Sequence, residues 1–210
     1  MIVDIVQTKS NFDMKWEVKE NGDYIGTCFA PFQNGQFCVQ VNFSDSKTTQ
    51  LYYNPMDTTW GARLSDRLSF KVLREGEKVG SIVGRTKKTG FLKAYAYYDF
   101  QLNGNQYYGY EVGFGRKGLY LCIYRNERLI AIVDKALRVV NYKDTYTAYL
   151  ESPADLEVVL LFTIYYDATA YGDVMEVAVA SVQEKRVNTL QKELIEKFDP
   201  TFISRIKGQA

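Results

Sequence analysis

The strongest cluster of side chains able to do chemistry is basic: Arg85, Lys87 and Lys88, followed by Lys93, in the stretch IVGRTKKTGFLK. Exposed Lys and Arg around a flexible turn can hold an anionic headgroup or lie against an anionic surface. Thr86, Thr89 and Gly90 punctuate the cluster, which falls between two strand-like segments and so reads as a loop or hairpin end. Arg116 and Lys117, in GFGRKGLY, form a second such turn, and Gly113, Gly115 and Gly118 could present their backbone N–H groups there as an anion nest. The plainer reading of both stretches is a solvated turn. Neither has the GxxxxGK(S/T) order of a nucleotide-phosphate loop.

Other chemistries are thinly supplied. The chain has no histidine, which removes imidazole bases, Ser-His and Cys-His nucleophile pairs and His-containing metal sites together. Cys28, Cys38 and Cys122 are an odd number with no CxxC spacing. No metal site is expected from them; they read as reduced thiols, with a Cys28–Cys38 bridge as the alternative. The acidic pairs Asp155/Glu157 and Asp167/Asp173 show no shared helix face that would build a two-carboxylate site. Asp155 reads as a helix cap and Asp167 as facing water. No GxSxG or Rossmann fingerprint is present, and no cofactor is implied. Tyrosines interleaved with lysines, such as Tyr95, Tyr97, Tyr107 and Tyr110, could stack bases, but a net charge of +1 argues against nucleic-acid binding as the role.

The elements that must position these residues read mainly as strands. Charge is uneven along the chain: residues 1–62 carry net −3, 63–143 net +9 and 144–210 net −5. Seventeen Tyr and twelve Phe suit pleated, half-buried surfaces. Strand-like runs at 15–19, 24–29, 36–43, 50–53, 68–73, 78–83, 91–100, 106–114, 119–124, 128–133 and 137–142 are separated by short polar turns. Asn21-Gly22 and Asn103-Gly104 are strong hairpin signals, because both central residues of a type I′ turn need positive φ. The segments KENGDYIGTC (19–28), REGEKVGSIV (74–83) and YRNERLIAIV (124–133) share a turn-then-apolar-small-apolar pattern, a weak internal repeat.

One stretch breaks the strand pattern. Ser152 precedes Pro153, and Asp155 follows three positions later, a favourable helix start. From 156 to 166 nine large apolar residues cover the whole circumference. Leaving them in water would forfeit on the order of 15–25 kcal/mol, more than a typical domain's net stability of about 5–15 kcal/mol. The rest of the chain must therefore wrap this segment, unless it is a central buried strand, the competing reading. At eleven residues the stretch is well short of the roughly 20 needed to span a bilayer. A final amphipathic helix is expected near 184–198, with Val187, Leu190, Leu194, Ile195 and Phe198 as its apolar stripe and Pro200 as its stop. Residues 173–182 permit no assignment.

β-Hairpins followed by a capped, all-round apolar helix resemble the tubby-like superfold, shared by tubby C-terminal domains, LURP-one-related proteins and phospholipid scramblases. The resemblance is carried by LSFKVLREGEKVGSIVGR (68–85), LYLCIYRNERLIAIVDK (119–135) and SPADLEVVLLFTIYYD (152–167). It implies a single mainly β domain over 1–210: a closed antiparallel barrel of about twelve strands around a central hydrophobic helix near 153–167. Tubby domains recognise phosphoinositide headgroups, and scramblase relatives are linked to membranes, but no family binding motif maps onto these positions. The expected role is a noncatalytic binding or structural module that meets a protein partner or an anionic surface. The alternatives are an acidic-lipid or phosphoinositide binder acting through the two basic stretches, and a small enzyme with a carboxylate and tyrosine pocket. MIVDIVQTKSNFD has Asp4 where a secretion signal would be basic, so a cytoplasmic protein, peripheral to a membrane on the lipid reading, is expected.

Overall fold

Tight turns organise the chain. In the computed structural model Asn21-Gly22 and Asn103-Gly104 both take positive φ, at 52° and 89° and at 50° and 77°, and Glu75-Gly76 repeats the pair at 52° and 85°. The backbone twist of such turns matches that of the strands they join. The structure describes residues 1–10, 13–33, 36–43, 48–53, 70–90, 93–170 and 182–209.

The strands are β1 (Ile2–Lys9), β2 (Asp13–Glu20), β3 (Asp23–Gln33), β4 (Gln36–Phe43), β5 (Thr48–Tyr53), β6 (Phe70–Arg74), β7 (Glu77–Gly90), β8 (Lys93–Leu102), β9 (Asn105–Gly113), β10 (Leu119–Arg125), β11 (Arg128–Lys135), β12 (Arg138–Val140), β13 (Thr145–Leu150) and β14 (Val182–Glu184). Twelve of them close into one antiparallel barrel, while β12 and β14 form a separate two-stranded ribbon. β2 to β11 meander in sequence order. β1 then closes the ring between β2 and β13, with Val3 opposite Ala148 and Ile5 opposite Tyr146. Closure leaves the barrel without an edge strand to aggregate.

Period-2 alternation points one face of each strand inward. Val3, Ile5, Met14, Trp16, Val18, Val39, Val41, Phe70, Val72, Phe100, Leu121 and Ala148 all belong to one buried core. At its centre lies helix α1 (Leu156–Ala170), entered through a 3-10 turn at Pro153–Asp155. Ser152 Oγ accepts from the Ala154 N–H at 3.2 Å, as its position before Pro153 implies. Residues 158 to 167 of the helix are all buried. The helix reading therefore holds over the strand reading, and the reason is the one the sequence supplies: a segment apolar all round is stable only when surrounded.

Rings lock the helix to the wall. Tyr98 meets Phe162 edge-on at 5.1 Å between centroids, and Phe70 meets Tyr165 in the same way at 5.1 Å. Opposite Phe162 the wall has no side chain: a Cβ built on Gly109 would lie 2.3 Å from the Phe162 ring.

The chain's end differs from the expected 184–198 helix. Residues 185–191 run extended, α2 (Lys192–Ile195) is a single turn, and the C-terminal helix is α3 (Pro200–Lys207). Val187 and Asn188 are drawn into sheet-like pairing, with Gly115 N–H donating to the Val187 carbonyl at 2.8 Å and Phe114 bridging Asn188. Pro200 starts a helix instead of stopping one. The Asp199 carboxylate accepts from the Thr201 N–H at 2.8 Å, and proline at the first helical position sacrifices no hydrogen bond. Leu194, Phe202 and Ile206 then cover Val112, Cys122, Ile132 and Tyr149, a second core on the outer face of the barrel. Strands β1 and β13 fall in stretches where the sequence suggested none. The 173–181 part of the unassigned stretch lies outside the described residues.

Candidate functional site

In an antiparallel meander alternate hairpins emerge at the same end. The β7–β8 hairpin, closing with Gly90 opposite Lys93, and the β9–β10 turn, closing with Gly113 opposite Leu119, are therefore neighbours on one rim of the barrel. That topology brings the two basic stretches of the sequence together. Of the two readings, loop or hairpin end, the described residues fit the second: β7 runs through to Gly90, so Arg85, Lys87 and Lys88 are strand residues in one arm of the β7–β8 hairpin. Strand pairing with Tyr97, Tyr95 and Ala94 supplies the backbone partners that make the extended form favourable there.

Alternation divides the cluster. Arg85 and Lys87 point outward, where Arg85 Nε meets Asp99 Oδ2 at 2.7 Å and Lys87 Nζ meets Glu193 Oε2 at 3.3 Å. The Lys87 ammonium also lies 5.9 Å from the Tyr95 ring centroid, and its bond to Glu193 raises its pKa. Lys88 falls on the opposite side of the strand and is exposed. Lys93 begins β8 opposite Gly90. Arg116 and Lys117 occupy a one-turn 3-10 helix at Gly115–Lys117 and are exposed. Lys88 and Lys117 have no carboxylate partner among the described residues, whereas the Glu184 carboxyl, held low chiefly by its bond to Arg186, also feels the charge of Arg116.

The extended segment 185–191 straps this rim. Lys185 N–H donates to the Leu137 carbonyl, Thr189 exchanges two bonds with Gly113 at 2.9 Å each, and Gln191 Nε2 reaches the Ala94 carbonyl at 3.2 Å. Leu190, held between those last two anchors, is 86% exposed.

Beneath the rim sits a polar cluster that sequence reading missed. Asp167, expected to face water, is 1% exposed, because α1 continues past it to Ala170. Its Oδ1 accepts from the Tyr146 hydroxyl and lies 3.8 Å from Lys135 Nζ. Lys135, at the end of β11, is 1% exposed and also bonds Asp144 and, at 2.9 Å, the Tyr146 hydroxyl. Lys185 Nζ approaches the other Asp144 oxygen at 3.5 Å. The Asp144 N–H donates to Gln7 Oε1 at 2.8 Å, so the cluster joins β1, β11, β13, α1 and the strap. Burial, with the nearby Asp144 charge, pushes the Asp167 carboxyl up to about 6. Burial lowers the Lys135 pKa against the pull of both carboxylates, and burial with those same carboxylates raises the Tyr146 phenol well above its ordinary value. The only sequence signal for this cluster was the charge on residues flanking apolar runs.

Asp155, read from the sequence as a cap, pairs instead with an arginine, and the capping oxygen is that of Ser152. Asp155 is 2% exposed and meets Arg125 Nη1 at 3.1 Å, while Glu157 receives both nitrogen contacts of Arg74 Nη2 at 2.7 and 2.9 Å. Both pairs lie at the far rim, where carboxylates suit the N-terminal end of α1. Cys28 and Cys122 are buried thiols whose pKa values burial raises, and no disulfide joins Cys28 to Cys38. Among the described residues no group of three His, Cys, Asp or Glu side chains could hold a metal, and no helix is long and apolar enough to cross a membrane.

No protein-family model, curated protein or solved structure matches the chain. The structure is a twelve-strand closed antiparallel barrel with an internal helix, which is consistent with the tubby-like expectation.

Proposed function

We propose that the protein is a noncatalytic, tubby-like binding barrel that docks an anionic surface through the rim carrying Lys88, Arg116 and Lys117. One observation carries the reading: the two basic stretches emerge on neighbouring hairpins of one rim, and these three cations are exposed and form no ion pair among the described residues, although Glu184 partly offsets Arg116. Arg85 and Lys87 contribute less, since Asp99 and Glu193 already offset them. The exposed Leu190 on the strap between the two hairpins adds an apolar contact of the kind a lipid interface accepts. The noncatalytic part of the reading rests on Lys135, Asp144, Asp167 and Tyr146, whose unusual chemistry is sealed from solvent.

Vesicle co-sedimentation tests it. The wild-type chain is expected to pellet with phosphatidylserine-containing vesicles and to release as salt rises, since exposed charges are screened over about 10 Å at 0.1 M. At about 1 kcal/mol for each basic residue near the surface, K88E/R116E/K117E should weaken binding by more than tenfold. Equal pelleting of the wild type and the triple variant would overturn the assignment of the rim.

A further inference from the structure

A second site lies between the strap and the barrel mouth. A cavity of about 240 Å³ there is lined by Tyr95, Ala96, Tyr98 and Glu111 from the wall and by Val187, Asn188, Thr189, Gln191 and Leu194 from the strap and α2. Glu111 comes from the inner face of β9, two residues beyond Gly109, the position that touches Phe162. One of its oxygens, Oε2, accepts from the Tyr166 hydroxyl of α1. Among the described residues no lysine or arginine pairs with Glu111. The other four carboxylates around the helix, Asp144, Asp155, Glu157 and Asp167, each have a cation within reach. Among the described residues Glu111 is thus a carboxylate facing the helix that no lysine or arginine balances.

We infer that this cavity binds a small organic monocation, with the ammonium group against Glu111 and beside Tyr98, the lining ring on the same inner face of the wall. A carboxylate in a partly enclosed, low-dielectric site gains strongly from a cation, and aromatic faces add attraction for an ammonium whose hydration is weak. The cavity's size limits the ligand to a small molecule. Its remaining polar groups are largely committed: Thr189 Oγ1 accepts from the Gly113 N–H, and Gln191 Nε2 donates to the Ala94 carbonyl. This favours a cation that demands few directed hydrogen bonds, such as a trimethylammonium group, over a sugar.

The test pairs choline with its neutral carbon isostere, 3,3-dimethyl-1-butanol, on the full chain by isothermal titration and thermal melting. Choline is expected to bind saturably and raise the melting temperature, and the isostere to do neither. E111Q retains an acceptor for Tyr166 but lacks the charge, so it should lower choline affinity by about tenfold or more while its own melting temperature stays near that of the wild type. Equal binding of choline and isostere, absence of saturable choline binding, or unchanged affinity in E111Q would overturn the proposal. Should E111Q fail to fold, the wild-type comparison of the two ligands decides alone. None of these outcomes bears on the vesicle result, which depends on Lys88, Arg116 and Lys117.

Discussion

Lys135 and Asp167 are charged groups that water scarcely reaches, and the two meet at 3.8 Å. Removing charges from water costs more than one attraction returns, so such a cluster persists only when several bonds share the load. Here Tyr146, Asp144, Lys185 and Gln7 do so. The residual cost appears as the raised Asp167 pKa, about 6 against roughly 3.9 in an unfolded chain. The folded state therefore holds more protons than the unfolded one between those values. Asp167's contribution is fully present below about pH 4 and is lost as pH rises through about 6. Chemical denaturation should show a downward slope of stability from pH 4.5 to 6.5 that D167N flattens, because asparagine keeps an acceptor for Tyr146 without a titrating charge. An equal slope in both proteins would place the titration elsewhere. At the far rim Ser152 is a smaller case: S152A leaves the Ala154 N–H without its acceptor, an expected loss of about 0.5–2 kcal/mol readable in urea midpoints.

At the scale of elements, the fit of α1 inside the barrel depends on where the wall is thin. Gly109 sits opposite Phe162, so G109A must displace a ring already held edge-on by Tyr98. Overpacking of this kind typically costs about 1–3 kcal/mol, and the expected result is a lower urea midpoint with an unchanged m-value. A midpoint equal to wild type would mean the helix can shift within the barrel. That α1 is central was legible because its apolar residues leave no polar face. The hairpins were legible because Asn-Gly turns carry their own conformational requirement. β1 was not, since Ile2 and Val6 are apolar on the face opposite Val3 and Ile5, which blurs the alternation, and its β13 partner lies far along the chain. The C-terminal stripe misled for a related reason. Leu194 and Phe198 do pack on the outer sheet, but from a single turn and its exit, because Gly113 and Gly115 capture the residues before them. The basic rim was half legible: the cations are evident in the sequence, whereas their outward acidic partners depend on pairing, Asp99 on the neighbouring strand β8 and Glu193 on an element far along the chain.

For the whole molecule, the decisive property is that a mostly local meander is closed by its most distant parts. The Met1 amine reaches the Leu150 carbonyl at 3.2 Å across 149 positions of sequence. Contacts of that separation require a large loop to be closed before they contribute, whereas β9, β10 and β11 pair with immediate neighbours. The ordering this implies places the β9–β11 meander early and the β1–β13 seam late. Ile123 of β10 and Ile5 of β1 are equally buried, at 1% and 0% exposure, so trimming each by one methyl group probes the two regions on equal terms. Both I123V and I5V should lose about 0.5–1.5 kcal/mol at equilibrium. Stopped-flow chevrons should divide that loss differently: I123V mainly slows folding, and I5V mainly speeds unfolding, because its contacts form after the barrier. If I5V slowed folding as much as I123V, closure would belong to the nucleus. The helix would then have to be enclosed as the barrel forms, not sealed in at the end by the cluster of Lys135, Asp144 and Asp167 that pins β1 to β11 and β13.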